Sequence, residues 1–236
     1  MKTTILILLF SITIFIIAWM TSQTSTTEVA VFRDITDQEL AQPSVADVLR
    51  LYDFAQNKWN GAVFHFSDIT QVSFNPAEEI KLETANQWTN NEFQREDEVK
   101  QFQKSVAGIL AQAEQAIVGK RNSSIYLPIA NELNRLAQSK ADKKYLLIYS
   151  DLMENTSSLS FYNKKTLALL QTDPEAIRKQ FDQLETLQNL GGIEVYFIFQ
   201  PIDTYSDKAF TIATAFYKKL LEDKGATVHI SANIND

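Results

Sequence analysis

Short apolar runs alternate with amphipathic segments along most of the chain, a pattern typical of an α/β protein. Six runs predict strands, at about residues 29–32, 61–66, 80–84, 144–149, 193–199 and 226–230. Segments with helical periodicity lie between most of these runs. Buried strands joined by helices form a parallel sheet that is covered on both faces. The pattern therefore predicts one open, doubly wound, mostly parallel six-stranded sheet with helices on both faces.

The third predicted strand differs from the others because a short, turn-forming connection precedes it. The pair Asn75-Pro76 indicates a turn, and residues 80–84 alternate between apolar and polar. A strand reached by so short a connection must run antiparallel to its predecessor. We therefore expect one antiparallel edge strand. With the first strand central and the fourth on its other side, the strand order reverses between these two strands.

Five segments carry apolar residues at the spacing of a helix face. We predict helices after Ser44, after Asp173-Pro174, and at about residues 92–118, 125–136 and 206–223. Ser44 and Asp173 are predicted N-caps. Ser123 or Ser124 either caps the helix at 125–136 or presents its oxygen to a ligand. Residues 156–172 are not assigned, except that 157–162 are predicted to be extended.

The composition narrows the range of possible functions. The fractions of hydrophobic (45%) and charged (22%) residues among the 236 are those of a globular protein. A net charge of −7 argues against a nucleic-acid partner, whose phosphates require basic residues. The absence of cysteine excludes disulfides and thiolate metal sites. The two histidines, His65 and His229, exclude a histidine-rich metal site, and both are predicted to be structural.

The first twenty residues predict a targeting segment that precedes the folded domain. Lys2 is followed by an apolar run over residues 5–20, and Trp19 lies where an interfacial anchor would. We therefore predict a signal peptide or membrane anchor at 1–20, a polar linker at 21–27 and a single domain at 28–236. The missing small-x-small cleavage pair favours an uncleaved anchor. We expect the domain to be exported to a bacterial cell envelope, either tethered to the membrane or secreted.

Polar oxygen-bearing residues follow the two strands at which the strand order reverses. The first strand ends at Asp34, with Thr36 and Gln38 next, and the fourth ends at Ser150-Asp151. Since ligands bind at the carboxyl ends of strands at such a point, these side chains are expected to meet. Neighbouring carboxylates repel each other, and a cation relieves the repulsion. Oxygen ligands favour Mg, Ca or Mn. Alternatively, Asp34 and Thr36 are ordinary turn residues.

These loops resemble the metal-ion-dependent adhesion site of von Willebrand factor type A domains, and the resemblance covers roughly residues 27–232. That site has Asp-x-Ser-x-Ser after the first strand, a Thr before the third major helix and an Asp after the fourth strand. Here Thr36 keeps the first hydroxyl, whereas Gln38 replaces the second Ser with a longer amide. Glu154 and Asn155 would support the site or touch the protein partner. The resemblance implies these metal ligands: Asp34, Thr36, Gln38, Ser123, Ser124 and Asp151.

The resemblance implies a protein-binding module, in which a carboxylate of a protein partner completes the shell of a Mg, Mn or Ca ion. The substitution at Gln38 supports an alternative, a structural scaffold whose metal site has decayed. An enzyme is not expected. A phosphohydrolase of the haloacid dehalogenase type needs a second Asp where Thr36 stands. No Gly-x-Ser-x-Gly elbow and no glycine-rich phosphate loop are present among the six glycines.

Overall fold

The computed structural model describes residues 24–35, 41–69, 77–115, 123–201 and 203–232. The predicted segment at 1–20, most of the predicted linker, and the predicted ligands Thr36 and Gln38 lie outside these residues. Among the helices that are described, none has the length and apolar character needed to cross a bilayer.

Six strands form a single sheet within the described residues. They run in the order β3-β2-β1-β4-β5-β6, and only β2 and β3 pair antiparallel. This confirms the predicted α/β class and the antiparallel edge strand, and it places the reversal of strand order between β1 and β4. The strands are β1 (Thr26–Asp34), β2 (Gly61–Ile69), β3 (Ala77–Leu82), β4 (Lys143–Tyr149), β5 (Ile193–Ile198) and β6 (Thr227–Ser231).

Helices cover both faces of this sheet. Alternate residues of β1 point to opposite faces, so Val29 and Val31 join one apolar cluster, and Ala30 and Phe32 join another. Helices α1 and α2 pack in the first cluster, and α3 to α6 pack in the second. The described helices are α1 (Val45–Arg50), α2 (Glu92–Glu114), α3 (Tyr126–Gln138), α4 (Lys164–Thr172), α5 (Pro174–Leu184) and α6 (Thr204–Glu222).

Strand β2 continues to Ile69, three residues beyond the strand predicted at 61–66. Asp68 is the direct neighbour of Arg33 across β1 and β2, and their side chains form an ion pair at 2.7 Å. The guanidinium of Arg33 is only 1% exposed, and it also lies 5.9 Å from the ring centre of Phe66. A buried guanidinium requires such a partner. The pair therefore extends the strand beyond its apolar run.

About half of residues 156–172, which the sequence left unassigned, is helical. The prediction that 157–162 are extended is wrong. Thr156 instead starts a turn in which its Oγ1 accepts a hydrogen bond from the N–H of Leu159 at 3.1 Å. Helix α4 follows, and the Asn163 side chain accepts from the N–H of Lys165 at its start. The predicted caps Ser44 and Asp173 are confirmed, since each accepts a backbone hydrogen bond in the first turn of its helix.

Both histidines lie in strands and contact neighbouring strands, as expected for structural residues. The Nε2 atom of His65 in β2 lies 2.5 Å from a carboxylate oxygen of Glu79, its cross-strand neighbour in β3. The ring of His229 in β6 stacks on Tyr196 of β5 with ring centres 4.5 Å apart.

Alanine substitutions at two glycines test whether close packing at the start of β2 stabilises the sheet. A methyl group on Gly61 would lie 2.9 Å from Thr26 Oγ1 and 3.1 Å from the backbone nitrogen of Thr84, whereas one on Gly108 in α2 would meet nothing within 4 Å. We expect Gly61→Ala to lower the free energy of unfolding by about 1–3 kcal/mol. The matched Gly108→Ala variant should raise it by about 0.5–1 kcal/mol, since alanine favours a helix.

Chemical denaturation of the two variants and the wild type checks this prediction. Equal effects of the two substitutions would contradict the packing argument.

Candidate site at the switch point

The site lies where β1 and β4 end side by side at the point of strand-order reversal, here called the switch-point site. Its centre is the carboxylate of Asp34, which is 2% exposed. Oδ2 of Asp34 accepts hydrogen bonds from the hydroxyls of Ser123 at 3.3 Å and Ser150 at 3.1 Å. Ser123 is 89 residues away and Ser150 is 116 residues away along the chain. The fold therefore brings three oxygen-bearing side chains from three segments into contact.

The predicted site residue Asp151 fixes the loop that follows β4. Its Oδ1 accepts from the N–H of Met153 at 2.9 Å, and its Oδ2 accepts from the phenol of Tyr162 at 3.1 Å. The carboxylate is only partly buried. These hydrogen bonds hold the chain between β4 and α4 in a compact turn, next to the switch-point site.

The loop after β4 has a strained residue at its centre. The Ser150 hydroxyl donates to Asp34 and accepts from the N–H of Leu152 at 2.9 Å. Leu152 is fully buried and has a φ of 58°, which is uncommon for a residue other than glycine. Two backbone hydrogen bonds, at 3.1 and 2.8 Å, join Ser123 and Asn155. The two loops therefore form one unit, and this unit holds the unfavourable backbone conformation.

Glu154 caps helix α3, and neither serine does. The structure has Ile125 at the capping position without a side-chain cap, whereas Oε2 of Glu154 accepts from the N–H groups of Ile125 at 2.9 Å and Tyr126 at 2.8 Å. Of the two alternatives for Ser123 and Ser124, the capping of this helix is therefore wrong. Ser123 is engaged with Asp34 instead. A carboxylate is well suited to the positive end of the helix dipole.

Three buried polar atoms adjoin this cap: Oε1 of Glu154, the hydroxyl of Ser124 and the phenol of Tyr217. No hydrogen bond of good geometry satisfies them within the described residues, although Ser124 and Tyr217 both lie beside the Glu154 carboxyl and interact with it. The three residues are at most 1% exposed. Burial raises the pKa of Glu154 to about 7, and the charge of Asp34 adds to the rise. Burial and the charge of Glu154 raise the pKa of Tyr217 well above its usual value. A neutral, protonated Glu154 suits this environment.

The six predicted site residues do not all lie together in the structure. Asp34 and Ser123 meet through a hydrogen bond, whereas Ser124 faces the interior with Glu154, and Asp151 holds its own loop. Thr36 and Gln38 lie outside the described residues. Within the described ranges, no group of three or more acidic or histidine side chains is arranged to hold a metal ion.

The expected meeting of the two strand ends is observed as the contact of Ser150 with Asp34, since Ser150 follows β4 directly beside the end of β1. Sequence reasoning missed the role of Glu154. The capping role of Glu154 had no local signal, because its partners lie 28 and 29 residues earlier. A comparison with known proteins found no matching family model and no curated protein with a similar sequence. The function of the site is therefore argued from its geometry.

The pKa of Glu154 predicts how stability changes with pH. Because the native-state pKa is about 7 and the ordinary value is 4.5, the native state binds the proton more tightly than the unfolded state. This contribution is fully present below about pH 4.5 and is lost as the pH rises through 7. In Glu154→Gln the amide keeps the cap and does not ionise. At pH 8 we expect this variant to be more stable than the wild type by roughly 3 kcal/mol.

Urea denaturation at several pH values between 4 and 8 measures the difference. The exposed Glu83→Gln variant makes the same chemical change away from the site and should follow the wild-type curve. Parallel pH profiles for the wild type and Glu154→Gln would contradict a raised pKa at this carboxyl.

Proposed function

We propose that this chain is a von Willebrand factor type A-like protein-binding module that holds a protein partner through a divalent cation at the switch-point site. The sheet order and the location of the site at the carboxyl ends of β1 and β4 support this proposal. Ligands of open α/β sheets bind at this place. A carboxylate of the partner would complete the coordination shell.

The observation that carries the proposal is the set of oxygens around Asp34. A buried carboxylate lies within hydrogen-bond distance of two serine hydroxyls that come from separate loops. Hard oxygen ligands of this kind suit Mg, Mn or Ca. The nearby carboxyl of Glu154 adds negative charge when it ionises, which increases the attraction for a cation. Asp34, Ser123 and Ser150 would bind the ion, with Thr36, Gln38 and Asp151 added by the resemblance.

The cellular setting is part of the same proposal. The apolar run at 5–20 and the polar linker after it support export and a membrane tether in a bacterial envelope. The function proposed is binding, with no catalytic step assigned to any residue. A Mg-dependent phosphohydrolase has less support, because Thr36 stands two residues after Asp34 where that chemistry needs an aspartate.

A second candidate, a scaffold that needs no metal, is favoured by one observation. The hydroxyls of Ser123 and Ser150 donate their hydrogens to Asp34, which satisfies that carboxylate without a cation. Hydrogen bonds within the loop likewise engage both oxygens of Asp151. In this case the hydrogen bonds of Asp34 with Ser123 and Ser150 serve only to hold the two loops together. A partner would then bind by surface contacts alone.

Thermal unfolding in EDTA and in Mg, Mn or Ca separates the two candidates. A cation that binds only the native state raises its stability by about 2.7 kcal/mol at a hundredfold excess over its dissociation constant. We expect Mg or Mn to raise the melting temperature of the wild type. In Asp34→Asn the amide oxygen can still accept the two serine hydrogen bonds, but Mg or Mn should no longer raise the melting temperature.

The control is Asp173→Asn, which removes the same charge at an exposed helix cap where asparagine serves equally well. Mg or Mn should raise the melting temperature of this variant as much as that of the wild type. An unshifted wild-type melting temperature, together with an Asp34→Asn variant at least as stable, would reject the cation site and favour the scaffold.

A further inference from the structure

Helices α4 and α6 border a groove on the outer surface of the domain. The groove contains two cavities of about 380 and 250 Å³, and Gln171 and Ile212 line both of them. The α4 side has the helical spacing Lys164, Leu167, Ala168 and Gln171. The two cavities therefore adjoin each other between the helices.

The floor of the groove is apolar and its centre is lined by small residues. Leu167, Ile212 and Phe216 form much of the floor, and each is at most 9% exposed. The small side chains of Ala168 and Ala209 both line the larger cavity. Because these side chains are short, the space between the two helices stays open to a side chain from outside.

Basic residues stand at the ends of this groove, although the whole chain has a net charge of −7. Lys164 and Lys208 border the larger cavity, and Arg178 and Lys219 border the smaller one. Arg178 and Lys219 both pair with Asp223. Lys164 and Lys208 form no ion pair with any residue in the described part of the chain, and both are exposed. The larger cavity therefore combines an apolar floor with two available positive charges.

We propose that this groove binds an amphipathic helix of a partner protein, whose apolar face lies on the floor and whose acidic side chains pair with Lys164 and Lys208. The distance along α6 from Lys208 to Lys219 is roughly 16 Å, which matches about three turns of a bound helix. The acidic character of the partner follows from charge complementarity. This interaction needs no cation, so it stands or fails separately from the function proposed above.

The shape of the groove and the packing of the chain argue against other occupants. A flat membrane surface would not reach a floor recessed between two helices. A second copy of this chain is not suited to supply the helix, because α2, its long acidic helix, already buries its apolar side chains Val99, Phe102 and Val106. The occupant is therefore assigned to a different protein.

Fluorescence anisotropy with two labelled helical peptides, each about 14 residues long, tests the proposal on the full chain. Both peptides carry the same leucine face, and their flanks carry glutamate in one and lysine in the other. We expect the glutamate peptide to bind the wild type and to lose at least tenfold in affinity for Lys164→Glu/Lys208→Glu. The lysine peptide should show the opposite preference.

The control variant is Lys140→Glu/Lys143→Glu, which makes the same change in net charge at the opposite edge of the sheet. It should bind the glutamate peptide as the wild type does. Ala168→Trp fills the larger cavity and should abolish binding of the glutamate peptide while the circular dichroism spectrum stays native.

Three results would overturn the proposal. The first is no binding of the glutamate peptide to the wild type, and the second is equal weakening in the control variant. The third is self-association, or binding to phosphatidylglycerol vesicles, that depends on Lys164 and Lys208 while the glutamate peptide does not bind.

Discussion

Two buried carboxylates hold together the loops at the carboxyl edge of this sheet. Asp34 accepts hydrogen bonds from two serine hydroxyls, and Glu154 accepts from two backbone N–H groups at the start of α3. A buried carboxyl group requires such partners, because it has lost its hydration. These hydrogen bonds hold the loops before α3 and after β4 against the end of β1. They also stabilise the unfavourable backbone conformation of Leu152.

The sheet was predictable because its signals are local. Each parallel strand is an apolar run, and the turn-forming pair Asn75-Pro76 in the sequence predicts the antiparallel edge, so strand order follows from the connections. The meeting of Asp34 with the loop at Ser150 followed from that order, whereas the loop at Ser123 was expected only from the family resemblance. The cap on α3 was not predictable, because the Glu154 carboxylate comes from a distant loop and displaces the serine that local rules favour. The turn at 156–162 was missed because hydrogen bonds, and no apolar pattern, define it.

The two proposed binding regions lie at the same edge of the sheet. Helices α4 and α6 begin after β4 and β5 end, so Lys164 and Lys208 lie at the edge that also carries Asp34. Tyr162, two residues before Lys164, donates a hydrogen bond to Asp151 beside the switch-point site. A partner with a carboxylate for the cation and a separate acidic helix for the groove would match both regions. Both proposals therefore assign an acidic partner to local positive charge, from a cation or from the lysines, on a chain of negative net charge.

The most direct test of the cation site is the location of bound Mn²⁺ by paramagnetic broadening of backbone amide signals in solution. At substoichiometric Mn²⁺, the proposed function predicts selective loss of the Ser123, Ser150 and Ile125 amide signals and their recovery on addition of Mg²⁺. These amides surround Asp34 and the start of α3. Broadening confined to exposed acidic positions such as Asp97 and Glu98 would show that the ion binds only the surface. That result would contradict a cation site at the switch point.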